Sequence, residues 1–135
     1  MQKRRKYKTE LLVILLTSLT LILILNKPMR DYIPVIFGII GFGRFTYLTW
    51  KSYHELSDNL ILNYKKLMTK SGIDFGPRAG IYRVNFFDLI SERKKLSQSE
   101  KKIENKLTEL NSLKNLTLIS FFGFAFLGII SVILT

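Results

Sequence analysis

Residues 33–50 read IPVIFGIIGFGRFTYLTW. As a helix these eighteen residues rise about 27 Å, close to the roughly 30 Å hydrocarbon thickness of a bilayer. A single charge, Arg44, interrupts the run, and Tyr47 and Trp50 close it with the ring types that collect at membrane interfaces. The stretch reads as a membrane-crossing helix. Two further apolar runs, LLVILLTSLTLILIL at 11–25 and LTLISFFGFAFLGIISVIL at 116–134, extend the same reading to the whole chain. The expected fold class is an all-α integral membrane protein, with three transmembrane helices and a cytoplasmic helical hairpin between spans two and three.

Upstream of the quoted stretch, NKPMRDY is too short to do anything but reverse the chain. Pro28 is expected to end the first helix, Asp31 to supply an N-cap acceptor for the second, and Pro34 to sit in its first turn. Before the link lies the 11–25 run, which as a helix rises only about 22 Å. Tyr7, Lys8 and Lys27 at its margins can make up the difference by snorkelling. The opening MQKRRKYK carries five basic residues in eight. A basic opening before an apolar run also fits a secretory signal, but no small-residue cleavage site follows it, so an uncleaved anchor is expected.

Downstream, the pattern becomes amphipathic. Leu56, Leu60, Ile61, Tyr64, Leu67 and Met68 share one helical face, and Gly72 is the expected C-cap. SGIDFGPRAGIYRVNFF at 71–87 breaks the helical grammar and reads as a loop, with a short hairpin about GPRAG as an option. Leu89, Leu96, Ile103, Leu107 and Leu110 then form a narrow apolar stripe whose expected partner is the Leu56–Met68 face. The resulting division is a basic N-terminus at 1–10, spans at 11–25, 33–50 and 115–135, a link at 26–32 and a connector at 51–114.

Charge sets the expected orientation. The 21 Lys and Arg exceed the 10 Asp and Glu by 11. The connector holds 13 of the basic residues and the first ten residues hold five, whereas the 26–32 link holds only Lys27 and Arg30. Basic flanks stay on the cytoplasmic side, which places the N-terminus and connector inside and the C-terminus outside. The same bias accounts for the basic balance without invoking nucleic acid, and no interleaved aromatic platform for stacking bases accompanies it.

Candidate chemistry is sparse. The chain has no cysteine and one histidine, His54, so thiolate and multi-histidine metal sites are excluded, and no cofactor or catalytic motif is present. Arg44 is the one charge inside a span, and it either serves a function or snorkels to lipid phosphate. Gly38, Gly41, Gly43, Gly123, Ala125 and Gly128 offer small surfaces for helix packing. Asp74, Arg78, Tyr82 and Arg83 form a polar group in the 71–87 loop that is a candidate for ligand contact. Arg93, Lys94, Lys95, Lys101, Lys102 and Lys106 are candidates for contact with anionic lipid headgroups.

An intramembrane arginine beside a basic cytoplasmic hairpin is similar in layout to the YidC-type membrane insertase superfamily. The similarity covers 33–134, rests on no shared motif, and implies a polar groove around Arg44. The order of elements departs from that family, since a span precedes the hairpin and none follows Thr135. The leading expectation is a non-enzymatic subunit, regulator or immunity-type factor that works without a cofactor. Its expected partners are the bilayer and either another membrane protein or further copies of itself. A homo-oligomeric pore, with Arg44 and the hydroxyls of the first span facing a lumen, is the alternative.

Overall fold

The computed structural model describes residues 2–64, 66, 75–78, 81–84, 86–91 and 101–134. The described chain divides into two compact units. The first comprises Met1–Leu48 with Ser112–Thr135, and the second is Thr49–Asn111.

Helix α1 spans Gln2–Ile24, so the basic opening is helical and continuous with the apolar run. After a turn containing a cis Lys27–Pro28 peptide, α2 covers Met29–Phe37, a π-helical segment covers Gly38–Gly43, and α3 runs over Arg44–Asn63. Strands β1 (Phe75–Arg78) and β2 (Ile81–Val84) follow, then a short α4 (Phe86–Ser91) and the long α5 (Lys101–Ile133). Three helical stretches, Gln2–Ile24, Met29–Asn63 and Lys101–Ile133, are long and apolar enough to cross a membrane.

In the first unit, α1 packs on α2 and on the π segment. The interior is Leu11, Ile22, Ile33, Phe37, Phe45, Leu113, Leu116 and Leu127, all buried. On α1 the buried positions 11, 18 and 22 lie on one face, with Ile14, Leu15 and Leu19 packed partly buried beside them, as in close helix pairing. Helix α5 runs antiparallel to α2. Arg30 meets Leu134, Asp31 meets Ser131, Gly38 faces Phe124, and the Phe42 ring lies tilted against Phe121 with centroids 5.6 Å apart. Most of the remaining apolar surface points outward: Leu12, Val13, Leu23, Val35, Ile39, Phe122, Ile129 and Val132 are each more than half exposed. A water-soluble domain hides such side chains, whereas a bilayer supplies their solvent.

The second unit has its own core of Leu56, Leu60, Leu89, Ile103, Leu107 and Leu110. Tyr53, Ile61, Tyr64, Phe86 and Ile90 pack partly buried against it. The two faces that periodicity paired therefore share one cluster, and Leu67, Met68 and Leu96 lie outside the described residues. β1 pairs antiparallel with β2, from Phe75 opposite Val84 to Arg78 opposite Ile81. A strictly all-α description thus omits one short hairpin, which falls where GPRAG reads as one.

Several local expectations are corrected. The residue before α2 is Pro28, with no side-chain cap; Asp31 lies inside the first turn and accepts a hydrogen bond from Ser131 instead. Pro34 is the sixth residue of α2 rather than a first-turn proline, and it removes an interior N–H donor. The second span is not uniform α-helix, because the glycine-rich GIIGFG takes the wider π turn. α3 ends at Asn63, and Gly72, the expected C-cap, lies outside the described residues. Helix α5 runs continuously across the 114/115 boundary, a position at which a span can begin without a break in the helix.

Candidate functional site

Glu10 and Arg44 form the most pronounced polar feature of the first unit. Glu10 Oε1 accepts a hydrogen bond from Arg44 Nη2 at 2.7 Å. The pairing follows from the hairpin. Glu10 lies fifteen residues before Leu25 and Arg44 fifteen after Met29. At 1.5 Å per residue, both are about 22 Å from the turn, on helices that touch. The π segment immediately before Arg44 sets which way that side chain leaves the helix. Buried positions 33, 37, 41 and 45 recur every four residues across it, a spacing wider than an α-helix keeps on one face and narrower than a pure π-helix.

The pair is asymmetric. Arg44 is 49% exposed and Glu10 27%. Glu10 Oε2 is buried and, among the described residues, meets no hydrogen-bond donor. Sequence reading singled out Arg44 but missed Glu10, which stands one residue outside the apolar run. Equal distance from the turn is the signal that finds it.

A second polar contact lies at the other end of the same helices. Arg30 Nη2 donates to the Leu134 carbonyl at 2.7 Å, and Ser131 Oγ donates to Asp31 Oδ1 at 3.1 Å. A cation on a terminal carbonyl of α5 suits the negative end of that helix. Arg30 Nε is buried without an acceptor among the described residues. Between these contacts the hydroxyls serve their own helices. Ser18 donates to Ile14 at 2.8 Å, Thr20 to Leu16 at 2.9 Å and Ser120 to Thr117 at 2.8 Å, each to a backbone carbonyl. Such back-bonding satisfies a hydroxyl where water is absent.

The small residues behave differently from one another. A Cβ on Gly123 would lie 2.7 Å from Leu15 Cδ1 and 3.2 Å from Phe37 Cζ, and one on Gly38 3.1 Å from the Phe124 ring. Gly41 faces Phe37 of its own span at 3.2 Å, Gly43 has only the Gly38 carbonyl at 3.6 Å, and Gly128 has nothing within 4 Å. Ala125 is exposed. A groove of about 300 Å³ lies between the second and third spans, lined by Val35, Gly38, Ile39, Phe42, Phe121 and Phe124. Its lining is apolar and does not include Arg44.

In the second unit, Trp50 meets His54 edge-on at 4.2 Å and Tyr53 meets Phe86 at 5.5 Å. The single histidine thus sits among aromatic rings. Leu62 and Phe87 are 80% and 77% exposed. Of the loop candidates, Arg78, Tyr82 and Arg83 fall on the strands, where the ladder pairs them with Ile81, Pro77 and Gly76 and not with one another. Asp74 lies outside the described residues, as do Arg93, Lys94 and Lys95, while Lys101 and Lys102 open α5 exposed.

No family model, curated protein or solved structure matches this chain. Its class rests on its own features: three candidate membrane-spanning helices fit a multi-pass membrane protein.

Proposed function

We propose that this chain is a non-enzymatic integral membrane protein that works as a small subunit or regulator within a larger membrane assembly. Its N-terminus and second unit face the cytoplasm, and its third span leads outward. The observation that carries the reading is the distribution of apolar surface. The first unit keeps only a thin interior and turns long side chains outward on all three candidate spans. Among the described residues, the second unit has a core cluster of its own and still displays Leu62 and Phe87. Isolated exposed apolar residues are ordinary. Two that are more than three-quarters exposed on one small unit are suited to contact with another protein.

The charges support the same assignment. Arg44 engages Glu10 of its own chain, and the apolar groove lies apart from it. The basic excess over the 26–32 link favours a cytoplasmic connector. The test is purification in mild detergent from native membranes, followed by identification of co-eluting proteins. A stoichiometric membrane partner is expected, and Leu62→Ser with Phe87→Ser should reduce its recovery without altering the helical content of the chain. Dye leakage from vesicles carrying the purified chain alone would instead favour a pore.

A further inference from the structure

We propose that the Glu10–Arg44 pair is a phospholipid headgroup site, in which the guanidinium donors not given to Glu10 hold the phosphodiester of one lipid. The inference rests on the membrane reading above and assigns a ligand to the pair.

A guanidinium has five N–H donors in a planar fork, and Nη2 of Arg44 is the nitrogen that reaches Glu10. The rest of the group lies on a side chain about half exposed, on the outer surface of the first unit. Exposed within a candidate span means exposed to lipid. There the donors need acceptors, and the phosphodiester and ester oxygens of a phospholipid are the ones a long side chain can reach. The fork matches a phosphate with two parallel hydrogen bonds.

Charge points to the same ligand. Lys6 is exposed and lies one turn before Glu10 on α1, about 6 Å further along the axis. Lys3, Arg4, Arg5 and Lys8 precede Glu10 on the same helix and are exposed as well, so the surroundings of the pair are net positive and suit an anionic phosphodiester. A carboxylate from another protein would answer the same charge, but lipid phosphates line the membrane surface at this level without a partner having to be recruited. Glu10 also has a role here: it neutralises Arg44 enough that the phosphate, rather than the overall charge of the lipid, is recognised.

The full-length chain in detergent, titrated with dioleoyl phosphatidylethanolamine or dioleoyl phosphatidylglycerol and followed by native mass spectrometry, tests this. The wild-type chain should hold one phospholipid of either kind, and Arg44→Leu should weaken that binding about tenfold to a hundredfold, the range for charge-assisted hydrogen bonds. Arg44→Lys should fall between. Glu10→Gln, which keeps the arginine, should still bind and should now favour phosphatidylglycerol; thermal melts of each variant report whether the fold survives. Unchanged lipid affinity in a folded Arg44→Leu chain would overturn the proposal, as would displacement of the lipid by millimolar glycerol 3-phosphate, which would make the ligand a soluble phosphate. A photocrosslinker at Tyr47 that captures a polypeptide instead of lipid would assign the arginine to a partner's carboxylate and overturn it as well. A chain that stays in solution without detergent would remove the membrane reading itself, whereas a membrane-bound chain indifferent to Arg44→Leu would remove only the lipid site.

Discussion

A methyl group at Gly123 fits only if the Leu15 side-chain end moves aside. A Cβ there would collide with Leu15 and press on Phe37, whereas one on Gly128 would meet nothing. Gly123→Ala is therefore expected to destabilise the first unit by about 1–3 kcal/mol, the usual range for overpacking, and Gly128→Ala to leave it unchanged. Thermal unfolding in detergent, read by circular dichroism, separates the two. The Glu10–Arg44 pair calls for a different estimate. A fully buried pair broken on one side loses about 3–5 kcal/mol and an exposed one under about 1. This pair lies between, and a double-mutant cycle with Glu10→Gln and Arg44→Gln should give a coupling of about 1–2 kcal/mol. At this scale the sequence was half legible. Arg44 stands out in any hydropathy reading, but Glu10 does not, because a window drawn around apolar residues ends one position too late to include it.

Among the elements, the π segment determines what the second span can present. A π turn accommodates one residue more than an α turn over the same length of axis. Deleting exposed Ile40 should let Gly38–Gly43 close into ordinary α-helix, with Arg44 still directed at Glu10. Deleting exposed Leu16 from α1, where no extra residue is present, should rotate Glu10 by about 100° relative to the turn and break the pair. Replacing both Glu10 and Arg44 with cysteine, in a chain that has none of its own, gives the readout. A short bismaleimide should crosslink the pair after the first deletion and not after the second. The three apolar runs were readable from their length and unbroken hydropathy, and the Leu56 to Leu110 faces because apolar residues repeat there at helical intervals. The π turn was not, because it reflects which carbonyl each amide selects around Pro34 and three glycines. β1 and β2 were only an option on paper, since Gly76, Pro77 and Gly80 mark a turn as readily as a ladder.

For the molecule as a whole, two separate cores imply two different sources of stability. In a bilayer, core residues of the first unit would exchange lipid contacts for protein contacts, so shape and close approach would dominate there. The second unit gathers its core as a soluble protein does, and Leu107, fully buried in it, should cost about 2–5 kcal/mol when cut to alanine. Leu62→Ala, at an exposed position, should cost nothing measurable by the same melt. Orientation is testable in intact cells with a membrane-impermeant maleimide. A cysteine at Met29 should be labelled from outside and one at Lys70 only after lysis; the reverse pattern would overturn the cytoplasmic assignment of the connector.

The contact from Arg30 to the Leu134 carbonyl bears on how this protein is handled at the bench. A fluorophore attached just past Leu134 would hang from a tether whose root is already pinned to the start of the second helix, and its emission should depolarise slowly. In an Arg30→Ala chain the same dye should tumble more freely. Anisotropy from one position would then show whether the outer ends of two helices are joined, without any structure being determined again.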